Sequence, residues 1–279
     1  FRARGGVAPM RLLAALSAFV VLAGCTTQKP LEPPTPQSIM LKEETKQYSF
    51  VFEADQKVLE IPGLADALRQ EAAVAKAQLI NDNTEFRTSL PDDPRDVQLA
   101  YEAIWSRAAD AGSLASVRMD FYGYGGGAHP ITDFDGRIFE KATGKRLSLS
   151  DLFNKPVQMS GIPDALCKAI EAEKKARDMP FDDAGDPISC KGPEPSVKLD
   201  GPVVFAASVE PGKAAGLRYL FGPYAIGAYV EGPYVIDVPA AAFIRDLKPE
   251  YASGFGGAFD PNDAKDPAAD MPYIGGGDR

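Results

Sequence analysis

Histidine is almost missing from this sequence. His129 is the only one among 279 residues, and there are one tryptophan and three cysteines. A lone imidazole excludes any mechanism that needs two. No apolar run reaches the roughly 20 residues of a permanent membrane helix. Basic residues are outnumbered, 30 Lys and Arg against 39 Asp and Glu, for a formal charge of -9. An acidic surface repels phosphate backbones, so nucleic acid is excluded as a partner, whereas a basic protein is attracted. No Gly-x-Ser-x-Gly, phosphate-cradling loop or Cys-His pair occurs. With 45% hydrophobic and 25% charged residues, the composition is that of a globular chain.

The first 24 residues read as an address. Arg2, Arg4 and Arg11 precede the apolar run Leu12 to Leu22, which has the length of a signal-peptide core. Met10 is the expected start. Leu22-Ala23-Gly24-Cys25 has the form of a bacterial lipobox, so Cys25 is the expected lipidation site. Two or more acyl chains there would anchor stably, each buried methylene adding about 0.8 kcal/mol. The alternative is an ordinary secretory peptide with a chance cysteine. Thr26 rather than Asp follows Cys25, which points to an outer-membrane lipoprotein facing the periplasm. Residues 25–45 hold a proline-rich stretch, Lys29 to Pro36, that reads as a stiff spacer. Cys167 and Cys190 then form an even pair in an oxidising compartment and read as one disulfide, with two buried free thiols as the alternative.

Gln47–Glu53 alternates as a strand. Leu64, Leu68, Ala72, Ala75 and Leu79 have helical spacing, with Asn81-Asp82-Asn83 as the stop. The spacing predicts a second helix opening at Asp93-Pro94, with Val97, Tyr101, Ile104, Trp105 and Ala108 as its buried stripe and Gly112 as its end. Ala115–Tyr122 and Ile131–Glu140 read as strands, with Asp135-Gly136 as a candidate hairpin turn. A short helix capped by Ser148 or Ser150 and a long one from Ile162 to Arg177 follow. Strands are predicted at 203–209, 217–221, 228–230 and 234–238, then a helix over 240–247. Residues from Ala252 onward read as an aperiodic tail. The whole reads as α+β with an antiparallel sheet, divided into parts 46–112 and 113–250 and a tail 251–279.

Several blocks resemble a known family. Tyr122-Gly123-Tyr124-Gly125-Gly126-Gly127-Ala128-His129-Pro130, Thr143-Gly144-Lys145, Leu147 to Phe153, Phe221 to Tyr229, and Gly232 with Val235 to Pro239 together resemble the RsiV-type domain family. That domain occurs in a lysozyme-sensing anti-sigma factor and ahead of the catalytic domain of a peptidoglycan deacetylase. The likeness spans about Tyr48 to Leu247. It implies an α+β, two-part module that senses or binds outside the cytoplasm. An anti-sigma factor needs a cytoplasmic segment and a membrane helix, and the deacetylase needs a further catalytic domain. Neither is read here, so the expectation is a module standing alone on its lipid anchor. Ala225 stands where relatives often carry an acid, which weighs against a polar role there.

The candidate ligand-binding residues are Tyr122, Tyr124, His129 and Tyr224, within a set that also includes Tyr229 and Tyr234. Tyrosines beside glycine turns give rigid amphipathic surface; core packing is the competing role. His129, Asp133 and Asp135 could ligate a metal, but strand-spaced ligands do not all face one way, so no metal and no cofactor is expected. Asp182, Asp183 and Asp186, and Asp260, Asp263, Asp266 and Asp270, lack the calcium-loop pattern. No catalytic residue is assigned. The expected function is a binding or sensing module for cell-wall glycan or for a wall-degrading enzyme such as lysozyme. The alternatives are a peptidoglycan hydrolase, deacetylase or accessory using His129, and a purely structural envelope lipoprotein.

Overall fold

The computed structural model describes residues 38–90, 96–179, 190, 199 and 201–263. Cys25, the proline-rich spacer and Asp182, Asp183, Asp186, Asp266 and Asp270 lie outside them. A six-stranded sheet is built from β1 (Ile39–Glu44), β2 (Tyr48–Ala54), β3 (Leu99–Ala111), β4 (Leu114–Tyr124), β5 (Ile131–Glu140) and β6 (Arg146–Leu147), in that order. It is mixed rather than antiparallel throughout, because β2 and β3 pair in parallel. Parallel neighbours need a crossover. Here it is made by α1 (Gln56–Leu59) and α2 (Leu64–Ser89).

Helix α2 buries Leu64, Leu68, Ala72 and Leu79 in a cluster with Phe50, Phe52 and Trp105. Arg137 on β5 fixes it from the side: the guanidinium lies 4.1 Å over the Trp105 ring and donates to both oxygens of Glu71. The helix runs past its predicted stop. Asn83 is buried and donates to the Gln47 side chain, so tertiary contact carries the backbone on to Ser89.

The predicted second helix is instead strand β3. Leu99, Ala103 and Trp105 face the α2 cluster, while Ala108 packs with Phe134, Val204 and Leu220. The buried positions of β3, Leu99, Ala103, Trp105, Ala109 and Ala111, keep the strand period, but apolar Ile104 and Ala108 on the other face obscure it in the sequence. Gly112, at φ 60°, turns the chain into β4.

After a short 3-10 turn at Leu149–Leu152, capped by Ser148 and Asp151, comes α3 (Ile162–Ala176). A disulfide joins its Cys167 to Cys190. The second sheet, β7 (Val203–Ala207), β8 (Ala214–Phe221) and β9 (Tyr234–Pro239), is antiparallel. Residues 229–231 form a 3-10 turn, not the expected strand. The helix expected over 240–247 is two 3-10 turns, Ala240–Ala242 and Ile244–Asp246. Between them Phe243 departs from helical φ and inserts into the core against Phe153 and Phe255.

The start of the expected tail is also folded. After α4 (Pro249–Ala252), Phe255 is buried against Phe205, Phe259 bridges to Ser208, and Asp263 pairs with Arg218 and accepts from the Ala207 N–H.

Strand β7 crosses the first sheet closely. Ser116 Oγ on β4 accepts from the Phe205 N–H at 2.9 Å and donates to Ala109 O. Gly136 sits within β5 opposite Arg118 rather than in a hairpin turn. A Cβ there would lie 2.7 Å from the backbone N and O of Val203, so glycine serves close approach and not a reversal. Gly136→Ala should cost about 1–3 kcal/mol, the usual penalty of overpacking. Thermal unfolding measures it; an unchanged Tm would show that β7 does not lie this close.

Candidate functional site

The glycine-rich loop after β4 and the loop between β8 and β9 meet at one place. Gly126, at φ 81°, lets the first loop lie on α2: a Cβ would stand 2.6 Å from the Phe86 ring. The loop then delivers His129 and Pro130 against Tyr229. The His129 and Tyr229 rings stack with centroids 4.0 Å apart, and Tyr224 tilts over both at 6.4 and 5.4 Å.

One carbonyl organises this cluster. Pro130 O accepts the Tyr229 hydroxyl at 2.8 Å and lies 2.9 Å from His129 Nδ1. A carbonyl only accepts, so the bond places a proton on Nδ1. Tyr224 is 59% exposed and holds φ at 69°, a conformation that costs a non-glycine residue of order 1 kcal/mol and recurs at ligand sites. Ile131, next to Pro130, and Val230, next to Tyr229, are 60% and 84% exposed.

Two carboxylates border the rings: Glu231 lies in the loop between β8 and β9, and the exposed Asp133 stands with Oδ1 2.8 Å from where a Cβ of Gly222 would be. Tyr122 to Thr132 and Phe221 to Val230 contain no Asp, Glu, Lys or Arg, in a chain that is 25% charged.

The structure brings His129 and Tyr224 together and adds Tyr229, which the sequence placed among the tyrosines without a role. Tyr124 is elsewhere: it packs on the α2 cluster and donates to Gly127 O. Tyr122 lies within β4, half-buried, between Glu102 and Thr132. Tyr234 is a core residue. Asp135 does not meet His129; it pairs with Arg137 at 2.7 Å, and Asp133 accepts from the Phe134 N–H. Among the described residues no group of three His, Cys, Asp or Glu could hold a metal.

Sequence reasoning missed the support beneath the platform. Glu231 accepts from the Ala228 N–H at 2.9 Å and from the Tyr234 hydroxyl, and faces the fully buried Lys174 Nζ at 3.4 Å. Arg177 donates to Glu231 O and Pro233 O and lies over the Tyr234 ring. Lys174 and Arg177 belong to the end of α3, so that helix clamps the loop bearing Tyr224 and Tyr229. Burial alone would raise the Glu231 pKa. The bonds from Tyr234 and Ala228 and the charge of Lys174 outweigh it and hold the carboxyl below its usual range. In the sequence the Phe221 to Tyr229 and Gly232 blocks mark this loop, but nothing there pairs Glu231 with Lys174.

No family model and no curated protein matches the sequence. Solved structures do. The chain is similar to a member of the DUF3298 family from Bacteroides fragilis, with a TM-score of 0.51 and 16% identity, over 78% of this chain and 95% of that one. It is also similar to a DUF3298 family protein from Pseudomonas aeruginosa, with a TM-score of 0.45 and 15% identity, over 81% of this chain and 99% of that one. The Bacteroides likeness shows the fold: this α+β arrangement is that of a DUF3298 protein, the RsiV-type family that the sequence blocks resemble.

Glu231→Ala should cost about 3 kcal/mol, the scale of breaking a buried ion pair. A carboxyl held below its unfolded pKa of about 4.3 stabilises at higher pH and loses that contribution as pH falls through its folded value. Stability measured by urea unfolding should therefore drop below about pH 4, with a shallower drop in Glu231→Gln. Identical pH profiles for the two proteins would refute the clamp.

Proposed function

We propose that this protein is a cell-envelope lipoprotein that holds wall glycan without transforming it. One observation carries the reading: a pre-assembled aromatic platform of His129, Tyr224 and Tyr229, with His129 and Tyr224 exposed. Aromatic faces take the C–H faces of sugar rings, and rigid tyrosine and histidine surfaces lose little entropy on contact. A strongly basic enzyme such as lysozyme is the competing ligand, since the -9 chain would attract it; ring stacking favours the glycan. The anchor at Cys25 rests on the Leu22-Ala23-Gly24-Cys25 pattern, and the outer membrane on Thr26.

Co-sedimentation with purified peptidoglycan sacculi tests the binding. The full-length protein should pellet, and Tyr224→Ala should lower its apparent affinity about tenfold, the loss of one anchoring aromatic. Failure to pellet, binding to lysozyme alone, or muropeptide release from the sacculi would each overturn the reading. Labelling with radioactive palmitate tests the anchor. Label should enter the wild type and be absent from Cys25→Ser; an unlabelled wild type would remove the lipoprotein claim.

A further inference from the structure

Strand β1 is an outer edge of the six-stranded sheet. It pairs with β2 on one side, and among the described residues no backbone group bonds it on the other. Open edges are commonly blunted by a bulge, a proline or outward charge. The register of β1 with β2 is continuous from Ile39 to Glu44, and the strand contains no proline. Its three charges are drawn to partners in this chain: Lys42 to Glu53 at 2.6 Å, Glu43 to Tyr48 and Lys76, and Glu44 to Gln98 at 2.6 Å. The large side chains left exposed are apolar. Leu41, opposite Phe52 and so on the α2 side, is 43% exposed; Met40, opposite Glu53 on the other face, is 65% exposed. Lys76 reaches Glu43, so the flank of α2 that carries Ile80, one turn on and 41% exposed, borders the same edge.

The edge is complementary to itself in one register. In a two-fold antiparallel pair, residues directly opposite share a face, so the axis passes beside one residue and not between two. Centring on Lys42 sets Lys42 against Lys42, and centring on Glu43 sets two carboxylates together; like charges directly opposite are destabilising. Centring on Met40 leaves Glu43 and Glu44 without opposite numbers among the described residues. Centring on Leu41 spans Ser38 to Glu44 in both copies, sets Leu41 against Leu41, and covers Met40 with the aliphatic stem of Lys42 of the second copy. We infer that two copies of this chain join through their β1 edges, antiparallel, with Leu41 opposite Leu41. The pairing does not depend on what the aromatic cluster binds.

Sedimentation equilibrium of the full chain tests it. The shared edge is short, so a monomer–dimer transition is expected between about 1 and 300 μM, as for small interfaces. Leu41→Lys sets like charges across the axis and should weaken the dimer about tenfold or more, with an unchanged far-UV spectrum showing that the variant folds. Oxidative cross-linking in a Cys25→Ser background reads the register independently. Leu41→Cys should give a covalent dimer, because directly opposite Cβ atoms lie about 4.5–5.5 Å apart. Glu44→Cys should not, because the two copies of residue 44 stand about 20 Å apart at opposite ends of the pair. A monomer throughout that range, a dimer that Leu41→Lys leaves intact, or cross-linking through Glu44→Cys and not through Leu41→Cys would overturn the inference.

Discussion

The docking of β7 across β4 and β5 is the constraint on which the rest depends. The glycine-rich loop leaves the first sheet and the Tyr224–Tyr229 loop leaves the second. Their meeting at Pro130 O requires the two sheets to sit at one distance and in one register. Ser116 sets the register by bonding a β7 amide, and Gly136 sets the distance by withholding a Cβ. A bulkier residue at 136 would push β7 off the sheet, and the β8–β9 loop would move with it.

The charges follow a division of labour. Buried ion pairs lie where elements cross: Arg118 with Asp120 under β7, Arg218 with Asp237 and Asp263 along the second sheet, and Lys174 with Glu231 beneath the aromatic loop. Buried pairs of this kind contribute little net stability against an apolar replacement, but an unpaired member is costly, so they favour one arrangement over near alternatives. At the platform itself the aromatic rings are held by hydrogen bonds to a neutral carbonyl.

Much of the fold was legible in the sequence, and the exceptions have physical causes. Helices α2 and α3 announce themselves because each buries one stripe. Strand β3 does not, because Ile104 and Ala108 lie on the face opposite Trp105 and fill in the helical spacing. Gly136 read as a turn because the sequence cannot distinguish a glycine that reverses the chain from one that admits another strand. The chain beyond Ala252 read as tail because the order of 252–263 comes from isolated anchors, Phe255 and Asp263, rather than from periodicity. Of the site, the histidine and Tyr224 were visible through motif resemblance. The grouping with Tyr229 and the separation from Tyr124 were not, since they depend on contacts between distant segments.

Those contacts are very long in sequence: Pro130 to Tyr229 spans 99 residues and Ser116 to Phe205 spans 89. Closures of that reach form late in folding, after the local hairpins and helices. Neither half of the chain owns the ring cluster, so an excised fragment bearing only one loop cannot assemble it. Occupancy of the platform is accordingly coupled to the integrity of the whole molecule: a ligand that favours the native state adds its binding free energy to the global unfolding equilibrium. Proteolytic nicking that lets the two halves part would disperse the cluster without touching a single ring.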